Sequence, residues 1–308
     1  MSAIIVTSAQ PGDGKSTVAV ALALHLLQSG RKVHLLRLQG SDAPSADRDA
    51  ALLAAVPGVR SPGRALSLAD AQAAVKEAGT DAVAVVEAEP AEAKEAASVL
   101  EASAVVVGRA QPPDVAAVMG GALPKAAVSV TAVAAKEVSK VRAALEGRGL
   151  QPLALLPEDR VLAAPRLSEL ALALEASFLC DGADQDEIIE RVMIGSVSHD
   201  PGAPYFSTHE RKAALTRFEK TDIQLAALGT PLVCLLLTGG QKPSPYLFDR
   251  AQSIGVPVLL TARTTVEAME AVGEAYAVAR FGGEQKRERL RELAVDDVDA
   301  AALEALLS

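Results

Sequence analysis

At 308 residues the chain is longer than one hydrophobic core ordinarily fills, and a composition that is 50% hydrophobic, 3% aromatic and free of Trp excludes a disordered polymer. A net charge of −9 argues against a nucleic-acid surface, which needs a basic face. The start lacks the basic lead of a signal peptide, and the apolar run Val18–Leu27, interrupted by His25, falls short of the ~20 residues that span a bilayer. A cytoplasmic chain with no membrane segment is expected.

The first apolar run, Ala3–Thr7, predicts a strand and leads into Pro11, Gly12 and Gly14, with Lys15, Ser16 and Thr17 at the head of a helix patterned over Val18–Gln28. Further strands are predicted at Lys32–Leu38, Ala82–Glu87, Ala104–Val107, Ala127–Val133 and Pro152–Leu156. Helices are predicted at Ala69–Ala78 and Lys136–Glu146, with Gly30, Gly79 and Gly147 at the C-cap positions. Strands that are apolar throughout suit a parallel sheet covered on both faces, and their alternation with helices predicts a doubly wound α/β domain. After Cys180 the polar stretch Asp181–Glu187 reads as a linker, and the alternation then restarts. Strands are expected at Val192–Val197, Ala213–Thr216, Leu232–Thr238 and Val256–Thr261, and helices at Thr221–Leu228, Tyr246–Ser253 and Thr265–Ala279. From Glu284 a charged segment spaces Leu290, Leu293, Val298, Leu303 and Leu306 as the apolar stripe of a packed terminal helix. The expected domains are 1–182, 186–282 and a helical tail, 283–308. Cys180 and Cys234 are too far apart for a CxxC pair and read as small buried residues in a reducing compartment.

The turn after the first strand carries the chemistry. Against the P-loop pattern GxxxxGK[ST], Ala9 replaces the first glycine, while Gly14, Lys15 and Ser16 fit and Thr17 follows. Gly12 and Gly14 let backbone N–H groups surround a phosphate without Cβ clashes, and the helix adds its positive end. Lys15 reaches the β- and γ-phosphates, and the Ser16 hydroxyl holds Mg²⁺. Pro11, Gly12, Asp13, Gly14, Lys15, Ser16 and Thr17 are therefore the candidate nucleotide cradle. Gln10 stands where the partition-protein type of P-loop has an extra lysine. Glu87, ending the apolar run from Ala82, fits a Walker-B carboxylate that reaches Mg²⁺ directly or through water. Lys15 and Glu87 are the candidate catalytic pair. Asp49, ahead of an Ala-Ala-Leu-Leu helix start, and Asp47 are candidate metal ligands or helix caps, and Arg37 is placed to touch a phosphate or an anionic substrate.

These motifs resemble a known group. "IIVTSAQPGDGKST", "VVEAEP" and "LLPEDRVLAAPRLSELALALEASFL" are similar to the dethiobiotin synthetase/cobyrinic acid diamide synthase P-loop proteins, and most of all to the N-terminal region of long bacterial phosphate acetyltransferases. "VMIGSVSHDPGAPYF", "TDIQLAAL", "LLLTGGQKPSP" and "GVPVLLTARTTVEAMEAV" resemble the DRTGG domain that follows in those enzymes. The likeness runs from Ala3 to about Arg280. No acetyltransferase domain follows in this sequence, so acetyl transfer is not expected. Glu219-Lys220 replaces the Asp-Arg pair behind the DRTGG name, Arg217 and Phe218 replace glycines, and Thr238-Gly239-Gly240 is kept. Arg37 replaces the group's lysine, Ala88 the glycine after the Walker-B glutamate, and Thr131 an asparagine that reads adenine.

The resemblance implies a P-loop doubly wound domain followed by a smaller α/β DRTGG domain, with ATP and Mg²⁺ as cofactors. It implies an ATP-binding regulatory or accessory protein with at most slow ATPase activity. An ATP-dependent ligase of a carboxylate or carbamate and a scaffold without nucleotide stay open as alternatives. A homodimer through residues 185–280 and a protein partner in acetyl-phosphate/acetyl-CoA metabolism are the expected associations. His199 and His209, flanking a Pro/Gly-rich loop, are expected at the surface.

Overall fold

The computed structural model describes residues 2–79, 81–119, 126–150, 152–179, 183–195 and 203–308. Cys180, the start of the expected linker (181–182), the strand end Ser196–Val197 and His199 lie outside the described residues. The chain divides into two compact units, residues 1–159 with 286–308, and residues 160–285.

Unit 1 begins with β1 (Ser2–Ser8), α1 (Lys15–Gln28), β2 (Lys32–Arg37), α2 (Ala43–Ala54) and α3 (Leu68–Glu77). It continues with β3 (Ala82–Glu87), α4 (Pro90–Val99), β4 (Ser103–Arg109), α5 (Val115–Met119), β5 (Ala126–Val133), α6 (Val138–Glu146) and β6 (Pro152–Pro157). The six strands form one sheet in the order β2-β3-β1-β4-β5-β6, parallel throughout. Every residue of β3 is buried, as the unbroken apolar runs require of a sheet covered on both faces. The connections leaving the central neighbours β1 and β4 run to opposite sides, which opens a crevice at their carboxyl ends, where open α/β sheets take ligands. The P-loop lies there.

One local reading is corrected. Helix α2 does not start at Asp49 but at Ala43, because the Asp42 side chain caps it, accepting from the Ser45 N–H at 3.1 Å, with Pro44 in the first turn. Gly147 is the C-cap of α6 as expected, in a right-handed conformation, and the left-handed residue follows at Gly149, φ +70°.

Unit 2 contains α7 (Arg160–Ala163), α8 (Leu167–Ala173), β7 (Ser177–Phe178), β8 (Arg191–Gly195), α9 (Ala203–Phe206), β9 (Lys212–Arg217) and α10 (Thr221–Leu228). Then come β10 (Cys234–Thr238), α11 (Pro245–Ser253), β11 (Val258–Leu260) and α12 (Thr265–Ala277). Its sheet runs β7-β11-β10-β9-β8, with only β7 antiparallel. Cys234 is fully buried in this core, and burial pushes its thiol far above the ordinary range, so it is inert. His209 is half-buried, not fully at the surface, and its backbone carbonyl accepts from the buried Lys212 ammonium at 2.8 Å.

The segment after Gln285 forms α13 (Glu284–Asp297, of which residues from Lys286 on belong to unit 1) and α14 (Ala300–Leu307). The expected single terminal helix is thus two. Val298 bridges Ala154 of β6, the Asp299 N–H donates to Leu153 O at 2.8 Å, and the Asp299 side chain caps α14. The contiguous boundaries 1–182 and 186–282 differ from this division for a physical reason. Leu167, Leu170 and Leu174 pack into the unit 2 core, whereas Leu290 and Leu303 are buried in unit 1. The fold class is as expected, α/β with a doubly wound parallel sheet and a smaller α/β unit, but the second unit is inserted into the first.

Candidate functional site

The loop between β1 and α1 is braced from within. The Gln10 N–H donates to Asp13 Oδ2 at 2.8 Å, and the Ser8 hydroxyl donates to Gln10 O at 2.8 Å. Asp13 braces the loop through its Oδ2. Pro11 and Gly12 form the exposed tip. Gly14 opens α1 at φ +93°, and a Cβ there would lie 2.9 Å from Thr131 Cγ2, so no larger residue fits. Thr131 comes from β5 beneath the loop and donates its hydroxyl to Asp13 O at 2.6 Å. It is buried support for the loop. No side chain caps α1 and its first turn holds no acid, so its N-terminal dipole is unopposed from within the helix.

Facing Ser16 is Glu87 at the end of β3. The Ser16 hydroxyl donates to Glu87 Oε1 at 3.1 Å. Glu87 is 1% exposed, and its Oε2 is buried with no hydrogen-bond partner among the described residues. Burial pushes its carboxyl above the ordinary range, opposed by the charges of Arg37 and Lys15. The Ser16 hydroxyl and the strand-end carboxylate, 71 residues apart in sequence, thus meet.

Arg37 is placed otherwise than expected. It is buried at 4% exposure. Its Nη2 lies 2.6 Å from Glu89 Oε1, and its Nε lies 3.7 Å from Glu87 Oε1 and 4.0 Å from Asp49 Oδ2. Burial alone would pull the guanidinium pKa down, but Glu87, Glu89 and Asp49 together hold it above its ordinary value. Arg37 is the counter-charge of a carboxylate cluster and does not project as a free phosphate ligand. Asp49 reaches this cluster from the interior of α2. Asp47 does not: it is exposed, and its Oδ1 accepts from the Ala65 N–H at 2.8 Å, which ties α2 to the loop before α3.

Two residues of the site were missed by the sequence reading. Glu89 Oε1 also lies 3.6 Å from Lys15 Nζ, and Arg109, at the end of β4, donates to Gly12 O at 3.3 Å. Glu89 stood inside the quoted "VVEAEP", two residues after the Walker-B glutamate, and could have been found there. Arg109 had no local signal. Among the described residues no three His, Cys, Asp or Glu side chains are grouped to hold a metal ion by themselves. Ser16 and Glu87 nevertheless suit Mg²⁺, which characteristically takes one or two protein oxygens and completes its shell with phosphates and water.

Residues 169–275 match the family model of the DRTGG domain, about a third of the chain. Among solved structures, the chain is similar to the CBS and DRTGG domains of the regulatory region of Clostridium perfringens pyrophosphatase, complexed with the activator diadenosine tetraphosphate. That likeness has 14% identity and TM-score 0.34, and covers 49% of this chain and 74% of that one. The MinC:MinD cell division protein complex of Aquifex aeolicus gives 17% identity and TM-score 0.38 over 53% and 84% of the two chains. A nucleotide-binding protein in complex with ADP from Archaeoglobus fulgidus gives 16% and 0.34 over 51% and 82%. Likenesses this distant say nothing about the ligands of this chain. No helix among the described residues is long and apolar enough to cross a membrane.

Proposed function

We propose that unit 1 binds a Mg-nucleotide, ATP being the expected one, and that the chain is a regulatory or accessory protein of the phosphate acetyltransferase N-terminal type, with slow ATP hydrolysis as its only turnover. The observation that carries this reading is the Ser16–Glu87 pair beside the uncapped start of α1, with a buried carboxylate oxygen left without a partner. In this reading the N–H groups of residues 12–16 cradle the β-phosphate, Lys15 reaches toward the terminal phosphoryl group, and Ser16 and Glu87 hold Mg²⁺ with Asp49 behind them. Mg²⁺ would neutralise phosphate charge there. The dethiobiotin synthetase-like ligase is the weaker reading, because Arg37, the cation it would offer a second anionic substrate, is already committed to carboxylates.

The DRTGG unit is proposed to mediate a homodimer and contact with a protein partner in acetyl-phosphate/acetyl-CoA metabolism. Exposed Val266, Met269 and Val278 in and just after α12 support an association surface. The test of the nucleotide site is Lys15→Ala. The backbone cradle remains while one charge-assisted contact of roughly 1.5–3 kcal/mol is lost. Calorimetry should show Mg-ATP affinity falling about ten- to a hundred-fold with the melting curve unchanged. Equal affinity in the variant would remove the assignment.

A further inference from the structure

We propose that Glu89 determines how many phosphates the site accepts, standing in for the terminal phosphoryl group so that a nucleoside diphosphate binds in preference to a triphosphate. This rests on unit 1 being a nucleotide site. One oxygen, Glu89 Oε1, bridges two cations of the site, at 2.6 Å from Arg37 Nη2 and 3.6 Å from Lys15 Nζ. A γ-phosphoryl oxygen would have to approach that same ammonium, since a P-loop lysine serves the β- and γ-phosphates.

Glu89 is seated there by more than its charge. Its backbone N–H donates to Glu92 Oε1 at 3.1 Å as α4 begins, and its stem lies over Gly40. A Cβ on residue 40 would come 2.6 Å from Glu89 Cγ, and Gly40 has φ +60°, so the loop after β2 leaves this space to the glutamate. The charges agree with the geometry. Lys15 and Arg37 face three carboxylates, those of Asp49, Glu87 and Glu89. Within this cluster Glu89 is the carboxylate in excess of the two cations, so a third phosphoryl group approaching Lys15 meets it as a like charge. A diphosphate escapes this penalty, because the loop N–H groups and the start of α1 that would hold it are not Glu89's partners. Glu89 is not a spare metal ligand, since the bonded oxygen points at a guanidinium.

The experiment is calorimetry of ADP and ATP, each with Mg²⁺, on the full chain and on Glu89→Gln and Glu89→Ala. The unaltered chain should bind ADP more tightly than ATP, a result that depends on no variant folding. Both variants should gain about tenfold for ATP, as expected for relief of one like charge at this range, with ADP changing by no more than about two- to threefold. Tighter ATP than ADP binding by the unaltered chain, or an unchanged ATP-to-ADP ratio in folded variants, overturns the role of Glu89 and leaves the nucleotide site standing. Failure of all three proteins to bind either nucleotide overturns both.

Discussion

Glu87 is held so that one carboxylate oxygen accepts a hydrogen bond from the Ser16 hydroxyl and the other has no partner among the described residues, inside a fully covered strand. Burial of a carboxylate on those terms costs free energy unless a cation arrives to share it. Glu87→Gln keeps the volume and removes the charge, so it should weaken Mg-dependent nucleotide binding by about ten-fold or more while metal-free binding changes little. Titrations run with Mg²⁺ and with a chelator measure this, and equal effects in both would make Glu87 an ordinary buried strand end. Lys15 and Ser16 were legible in the sequence because they belong to a local pattern with fixed spacing, and Glu87 because it ends an apolar strand run. The partners of Arg37 were not. They come from α2, β3 and the turn before α4, and nothing local to any of those stretches says that their carboxylates converge on one guanidinium.

At the scale of elements, the strands were the most legible part, because a strand covered on both faces carries an unbroken apolar run, as Ala3–Val6 of β1, Ala82–Val86 of β3 and Ala104–Val107 of β4 do. The terminal helices were half legible. The stripe through Leu290, Leu293 and Leu303 announced burial, but the break at Val298 depends on the free edge of β6, a tertiary partner that periodicity does not show. The segment covers an edge that would otherwise offer unpaired N–H and C=O groups. Leu303 is 1% exposed, so Leu303→Ala should destabilise unit 1 by about 2–4 kcal/mol. Scanning calorimetry should show one transition moving down while that of unit 2 stays in place. A shift confined to the unit 2 transition would mean that α14 does not belong to the core of unit 1.

For the molecule as a whole, composition and alternation gave two α/β bodies, but not that one interrupts the other, since the charged stretch from Glu284 marks a tail without saying which body it packs against. The homodimer proposed for the DRTGG unit is best sought in residues 160–285, which carry α8 and β7 with the rest of their core. Light scattering across a dilution series should give a dimer for that fragment and for the full chain. The interface should bury roughly 2,000 Å² or more in total if it is obligate. A folded, monomeric fragment beside a dimeric full chain would move the interface to unit 1.

The two ends of the chain are fastened to the same body. The Ser2 hydroxyl donates to Leu307 O at 2.8 Å, the Ser103 hydroxyl to Leu306 O at 2.7 Å, and Arg31 pairs with Glu304 at 2.7 Å. Tension applied between the termini is therefore borne by these bonds and by the packing of α14. Unit 2, spliced in as a closed loop between Asp159 and Lys286, stays slack until unit 1 parts. The proposed nucleotide site sits on the loaded path and the DRTGG unit off it, so a mechanical pull would open the P-loop body first and release the inserted one last.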